Sequence, residues 1–305
     1  MSGAPFEKLA VVGLGLLGGS VALAARAHGA ANTVVAWTRR AETARDAIER
    51  GAVEAADTDP AVLEGCDLLV LATPIETMPA ILAAAVPHLT EGALVTDVGS
   101  VKGCLAETLP GLLPATVRYV GSHPMAGSHL RGLEHAQTNL FEGAACIVDA
   151  SAAPSDAARI TAFWEALGAR VLLRPAIRHD EEVGWISHAP HAVAFAFARA
   201  LEEAPAAASE LRGSGFRDFT RIAHSDPELW AEILCANGKA LAGPLAAVAD
   251  RLRELARAAE QGDTETTLRY LAAARDSLAR LAPAPDPGAE TRRSIPERKT
   301  DDSNE

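Results

Sequence analysis

The chain has 305 residues and a formal net charge of −12 at pH 7, and it is 49% hydrophobic and 22% charged. That length is too great for one small core and suits two domains, and the composition is that of a globular protein. The acidic balance, with no compensating basic stripe, speaks against a nucleic-acid partner, and no apolar run approaches the roughly 20 residues that span a bilayer. Met1 to Lys8 lacks an apolar signal core, so a cytoplasmic location is expected. Cys66, Cys104, Cys146 and Cys235 show no CxxC spacing, which reads as reduced, buried thiols.

The first half alternates apolar runs with helical segments. Leu9–Val12 reads as a strand buried on both faces, followed by a helix over Leu16–His28 and a second strand at Thr33–Trp37. A helix is expected over Ala41–Arg50, a strand at Asp67–Thr73, a helix over Met78–His88 and a strand at Ala93–Asp97. Val117–Val120 and Ala144–Val148 are expected to continue the same sheet. This alternation predicts an α/β fold with a doubly wound, Rossmann-type sheet. After Arg174 the pattern changes. Ile177–Glu203, Glu228–Arg257 and Thr264–Leu281 read as long amphipathic or Ala-rich helices with no strand between them. The expected domains are therefore residues 1–174, dinucleotide-binding, and 175–282, all-helical. Residues 283–305, rich in Pro and mixed charge, read as a disordered tail.

Gly13, Gly15 and Gly18 match G-x-G-x-x-G between a strand and a helix. Gly13 permits the tight turn, Gly15 admits the pyrophosphate, and Gly18 lets helix and strand approach. Leu16 and Leu17 open the helix whose amino end meets the phosphates, and Thr73 and Pro74 close the Asp67–Thr73 strand; all four are candidate cofactor contacts. At the end of the second strand an acidic residue would receive the ribose 2′-hydroxyl of NAD. This chain has Thr38, Arg39 and Arg40 there, which suit a 2′-phosphate. The expected cofactor is NADP, with NAD possible.

Several separated motifs in order, Gly13–Ser20, Asp97–Lys102, Ser122–Gly127, Ser187–His191 and Gly215–Ala223, make the chain similar to the prephenate/arogenate dehydrogenase family of tyrosine biosynthesis. The resemblance covers roughly residues 8 to 282. It implies an oxidative decarboxylation of prephenate to 4-hydroxyphenylpyruvate, or of arogenate to tyrosine, with reduction of NAD(P). It implies that His123 accepts the hydroxyl proton, a task an imidazole can perform near neutral pH, and that Ser100 hydrogen-bonds this histidine. His188 and His191 lie at i and i+3; the resemblance places His191, and more weakly His188, at the substrate. A metal is not expected, because no third ligand has suitable spacing. Asp218 and Arg221 could form a helix-surface ion pair, but the resemblance makes Arg221 the anchor of a substrate carboxylate, with Trp230 nearby.

One departure bears on the substrate. Relatives often carry an acidic residue two positions after Gly127, whereas Ser128 here is followed by His129, Leu130 and Arg131, with no carboxylate before Glu134. Arogenate carries an ammonium that would favour such a carboxylate, so prephenate is the expected substrate. A helical-domain 3-hydroxyacid dehydrogenase would need an early helical lysine where this chain has His188 and His191 and only the late Lys239. A non-enzymatic NADP sensor would leave His123 and Arg221 without purpose. Phe195, Phe197, Leu201, Leu234, Leu241, Leu245 and Leu252 recur among alanines, more apolar helix than a small monomeric domain covers. The family dimerises through its helical domain, and a homodimer is expected.

Overall fold

The structure, a computed structural model, describes residues 4–127 and 130–281. Strands β1 (Phe6–Val12), β2 (Ala31–Trp37), β3 (Ala55–Asp57), β4 (Cys66–Leu71), β5 (Leu89–Asp97) and β6 (Arg118–Tyr119) form one parallel sheet in the order β3-β2-β1-β4-β5-β6. The strand order reverses between β1 and β4, and in such sheets the crevice beyond the strand ends at this point receives the ligand.

The apolar runs follow from burial on both faces. Leu9 and Val11 of β1 point into a cluster with Phe141, Phe163 and Trp164, whereas Ala10 and Val12 point into another with Met78, Leu82 and Trp230. Successive residues thus serve opposite layers, and no polar alternation is tolerated. Helices α1 (Leu16–His28), α2 (Ala41–Glu49), α3 (Met78–Ala85) and α4 (Gly103–Thr108) connect the strands. Helix α1 ends at Gly29, whose φ of 65° is left-handed and suits a glycine stop.

Ala144–Val148 does not extend this sheet. β7 (Ser122–Pro124), β8 (Ala145–Asp149) and β9 (Arg170–Arg174) make a separate three-stranded sheet, β7 antiparallel to β8 and β8 parallel to β9. The break comes at Gly121, where a side chain would meet the Tyr119 hydroxyl at 2.9 Å. Pro124, which has no N–H to donate, lies on the edge strand β7. Between β8 and β9 runs α5 (Pro154–Ala166). Its Trp164 is fully buried and donates from Nε1 to the Ser122 hydroxyl at 2.9 Å, and that hydroxyl donates to the Asp97 carbonyl of β5 at 2.6 Å, which ties the second sheet to the first.

From Ala176 onward the described chain is helical: α6 (Ala176–Val183), a π-helical turn over Gly184–His188, α7 (Ala189–Ala200), α8 (Ser214–Thr220), α9 (Pro227–Ala236), α10 (Gly238–Glu260) and α11 (Thr264–Leu281). Pro190 sits in the first turn of α7, directly after the π turn, where its missing N–H costs no helical bond. The strand-to-helix change falls at Pro175, but compactness divides the chain later, between Leu245 and Ala246. The reason is α9: its Trp230 and Ile233 share a core with Ile75, Met78 and Leu82 beside the parallel sheet. In the second unit the Tyr270 hydroxyl donates to the Arg251 carbonyl at 3.0 Å, and α11 buries no residue. The tail expected at 283–305 lies outside the described residues.

All four cysteines are free thiols. Cys66 and Cys146 are buried, and burial pushes the Cys66 thiol up to about 12. Cys235 is exposed, which corrects the expectation of four buried thiols; its position on the outer side of α9 carries no packing duty. Among the described residues, no helix is long and apolar enough to cross a membrane.

Candidate active site

The glycine turn lies between the ends of β1 and β4. Gly13 has a φ of +95°, and a Cβ there would meet the Ala72 carbonyl oxygen at 2.5 Å and Thr73 Cγ2 at 2.7 Å. A Cβ on Gly18 would come within 1.9 Å of the Gly13 carbonyl oxygen. Gly15, by contrast, has nothing within 4 Å. Two glycines are thus demanded by the protein's own packing, and the third faces open space at the amino end of α1, with no side chain capping it. That combination fits a dinucleotide pyrophosphate. Leu16 is buried in the first turn of α1, Leu17 is partly buried against the core, and exposed Pro74 follows Thr73. Arg39 and Arg40 are exposed, and neither forms an ion pair among the described residues. The Thr38 amide donates to the Asp57 carbonyl at 3.0 Å. The Asp57 carboxylate accepts at Oδ1 from the amides of Thr58 and Asp59.

At the end of β5, Asp97 is fully buried and pairs with Lys102, itself 1% exposed. The carboxylate also accepts from the Gly99 amide at 2.8 Å, the Tyr119 hydroxyl at 2.8 Å and the Ser122 amide at 3.2 Å. The main chain of Lys102 and Gly103 then turns to a second carboxylate: their amides donate to Asp180 Oδ1 and Oδ2 at 2.8 and 2.7 Å. Gly103 is required there, since a Cβ would lie 2.7 Å from Asp180 Oδ2.

Asp180 leads to the candidate catalytic histidine. Nδ1 of His179 lies 2.8 Å from Asp180 Oδ1, and Nε2 of His179 lies 2.8 Å from Nδ1 of His123. The network assigns the tautomers. A carboxylate only accepts, so His179 donates from Nδ1. A neutral His179 then has only a lone pair at Nε2, and His123 must donate to it from Nδ1. His123 therefore keeps its free lone pair on Nε2. Burial drives its basicity well below the usual histidine range, and the charges of His179, Lys102 and His188 reinforce this. Burial opposes ionisation of Asp180, yet the His179 hydrogen bond and the two amides hold its carboxyl below the ordinary value.

On the helical side His188 is buried, and its Nδ1 lies 2.9 Å from the amide nitrogen of Asn237, which also donates to the Asp180 carbonyl at 2.9 Å. Burial and the His179 charge lower His188 to about 4. His191 donates from Nδ1 to the Ser187 carbonyl at 2.8 Å and stacks on Trp230, with ring centroids 3.7 Å apart and planes 17° apart. Burial lowers its basicity too, and the nearby Arg221 charge adds to this. Trp230 also meets His188 edge to face at 6.0 Å. Arg221 is exposed and, among the described residues, forms no ion pair with Asp218, so the surface-pair reading of these two fails in this fold. Asp218 is exposed. Ser100 makes no hydrogen bond to His123 among the described residues; the partner of Nδ1 is His179. Ser128 lies outside the described residues.

The structure thus links His123, His188, His191 and Trp230 in one series of contacts, and the Arg221 charge acts on His191. It adds Asp97, Lys102, His179, Asp180 and Asn237, which sequence reasoning did not single out. A signal existed for two of them: Ala176, His179, Asp180 and Val183 are spaced as the buried stripe of a helix, and all four are buried.

A glycine turn at the switch point of a parallel sheet, with a neutral buried histidine presenting a lone pair, defines a dinucleotide-dependent dehydrogenase. The comparisons narrow this class. The family model described as prephenate dehydrogenase, nucleotide-binding domain, matches residues 21–173, and that described as prephenate dehydrogenase, dimerization domain, matches residues 175–273. The chain belongs to the prephenate dehydrogenase family and is an oxidoreductase with a nucleotide-binding N-terminal half. It is 34% identical over 245 residues to the cyclohexadienyl dehydrogenase of Zymomonas mobilis, covering 77% of this chain and 83% of that protein. It is 29% identical over 277 residues to the prephenate dehydrogenase of Bacillus subtilis, covering 88% and 75%. Among solved structures it is similar to prephenate dehydrogenase from Aquifex aeolicus in complex with hydroxyphenyl propionate and NAD+, with a TM-score of 0.83, 30% identity and coverage of 90% and 98%. Arogenate dehydrogenase from Synechocystis gives a TM-score of 0.78 and 31% identity, covering 90% of this chain and all of that one.

The buried histidines make stability depend on acid. His188 titrates near 4 in the fold, against an ordinary value of 6.5, so protons bind the unfolded chain more readily. Its contribution is complete above about pH 6.5 and is lost as pH falls toward 4, amounting to as much as about 3 kcal/mol. His123 and His191 act in the same direction. Urea unfolding at pH 7, 5.5 and 4.5 should show a steadily falling midpoint, with a weaker fall in His188→Gln. An identical slope in that variant would remove His188 from the effect.

Proposed function

We propose that the protein oxidises and decarboxylates prephenate to 4-hydroxyphenylpyruvate, with NADP preferred over NAD. The carrying observation is the 2.8 Å contact between Nδ1 of His123 and Nε2 of His179, which with a neutral His179 leaves Nε2 of His123 free to accept a proton. The nicotinamide, when bound, supplies the hydride acceptor. Gly13, Gly15, Leu16, Leu17, Gly18, Thr73 and Pro74 would hold the dinucleotide, and Thr38, Arg39 and Arg40 its 2′-phosphate. His123 takes the hydroxyl proton as hydride leaves, with Ser100 at the same end of the sheet. Arg221 anchors the side-chain carboxylate beside His191 and Trp230, a setting supported by the Arg221 charge felt at His191. Prephenate rather than arogenate is supported by the absence of an acidic residue between Gly127 and Glu134.

Turnover of prephenate and arogenate, each with NAD and NADP, tests this reading directly. His123→Asn should retain cofactor binding and lose about 100- to 10,000-fold in kcat, the usual value of a positioned base. In the same assays Arg221→Ala should raise KM for prephenate and leave NADP affinity unchanged. Normal turnover in the first variant, or normal KM in the second, would strip that residue of its role.

The arginine pair supplies a separate test of the cofactor. Replacing Arg39 and Arg40 together by alanine should raise KM for NADP by much more than KM for NAD. Equal effects would mean that neither guanidinium reaches a 2′-phosphate.

A homodimer through the helical half is supported by the dimerization-domain match and by exposed apolar side chains: Trp185, Ile186, Phe197 and Leu201 in the first unit, and Leu252, Leu268 and Leu271 in the second. Of the residues expected to face a partner, Leu241 is instead buried within the chain, and Phe195 and Leu234 pack partly against its core. Light scattering at micromolar concentration should give twice the chain mass, and a monomeric mass would refute the dimer.

A further inference from the structure

The proposed reaction leaves no net proton. The hydroxyl hydrogen removed as the ring carbon is oxidised is regained as the phenol hydrogen of the product. A base in this site must therefore lend its capacity and return what it took. His123 is 7% exposed, His179 1% and Asp180 8%, so the nitrogens are shielded from the bulk water that usually discharges a base.

We propose that His123, His179 and Asp180 form a closed proton store. As the substrate O–H bond breaks, a new N–H bond forms at Nε2 of His123. The Nδ1 proton of His123 then passes along the 2.8 Å contact to Nε2 of His179, and the imidazolium charge comes to rest beside Asp180, 2.8 Å from the other ring nitrogen. The C–H electron pair leaves as hydride and reduces the nicotinamide. The bond to the ring carboxylate breaks, carbon dioxide departs, and its electron pair enters the ring and reaches the oxygen. The oxygen takes its proton back from His123, and His179 returns the other to Nδ1. The inference rests on the reading of His123 as the proton acceptor.

Three observations support a store rather than a wire to solvent. First, the chain of bonds ends at Asp180: its carboxylate is bonded to His179 and to the amides of Lys102 and Gly103, and to no further titratable side chain among the described residues. Second, those amide donors favour the anion, so Asp180 stabilises charge on His179 instead of accepting the proton. Third, the groups facing the pair from neighbouring elements cannot drain it. Lys102 is engaged by Asp97, and His188 has its Nδ1 against Asn237. His179 and Asp180 are positioning residues in this scheme, since they act through His123.

The experiment uses the full chain with NADP and prephenate. In the wild type, 15N-histidine NMR at pH 7 should show His123 protonated at Nδ1 and bare at Nε2. His179→Gln keeps a carbonyl that can accept from Nδ1 but cannot take its proton. It should lower kcat by about 100-fold, within the range a positioned proton acceptor supplies, with KM for prephenate and NADP affinity unchanged. His179→Phe should also lose the single His123 tautomer. Wild-type kcat in His179→Gln overturns the store, and so does an Nε2–H tautomer in the wild type, a result that needs no variant to fold. Failure of the wild type to turn over prephenate would overturn the underlying reading instead.

Discussion

The site is organised around a carboxylate with no water. Asp97 is fully buried at the end of β5, and a buried charge survives only if it is paired and fully hydrogen-bonded. Lys102 supplies the counter-charge, and Gly99, Tyr119 and Ser122 supply the remaining donors. Removing one partner of such a pair typically costs 3 to 5 kcal/mol, which is about a third or more of a domain's net stability. The constraint explains the surrounding sequence. Gly99 and Gly121 are glycines because a Cβ on either would crowd a group bound to this carboxylate or the carboxylate itself. The Ser122 amide is one of the donors to Asp97, and its hydroxyl donates to the Asp97 carbonyl at 2.6 Å, which holds the start of β7 against β5. His123 is the next residue along.

A second carboxylate repeats the logic across the strand-to-helix change. The backbone of Lys102 and Gly103 reaches Asp180, so the segment that neutralises Asp97 through its side chain grips α6 through its amides. Asp180 then orients His179, and His179 orients His123. Asn237 bonds both the Asp180 carbonyl and His188, which extends the same framework to the end of α9. The geometry of one imidazole is thus set by contacts from β5, α4, α6 and the end of α9. Because His179 is held by Asp180 and His123 by His179, the ring of His123 is positioned before reaction, which is where positioned groups gain their advantage.

Much of this was legible from the chain alone. Strands β1, β2, β4 and β5, the glycine turn and the onset of the helical half follow from apolar runs and glycine spacing, because both reflect local constraints; the three-residue edge strand β3, Ala55–Asp57, has no such run and is missed. β8 was misassigned to the main sheet because a buried strand reads the same whichever sheet takes it; only the crowding at Gly121 redirects the chain. His179 and Asp180 were overlooked for a different reason. They stand in Arg178-His179-Asp180-Glu181-Glu182, a run that resembles a solvated helix face. Composition hides them, whereas the spacing of Ala176, His179, Asp180 and Val183 exposes them. The missing Asp218–Arg221 pair is the converse case, since helical spacing permits an ion pair without requiring one. Trp230, which the resemblance places near the substrate, joins the core under α9 while stacking on His191.

The charge inventory around His123 also suits a decarboxylation. A ring carboxylate loses its charge as it leaves, so a cation bound tightly to it would stabilise the ground state more than the transition state and slow the step. Lys102, whose charge reaches His123, is neutralised by Asp97, and His123, His188 and His191 are all biased by burial toward their neutral forms. Arg221 remains exposed and unpaired with Asp218 on the helical side, beside His191. In the proposed reaction one carboxylate must stay and one must go. If Arg221 holds the carboxylate that stays, the one that leaves would meet imidazoles that burial biases toward neutrality and a Lys102 whose charge Asp97 already compensates.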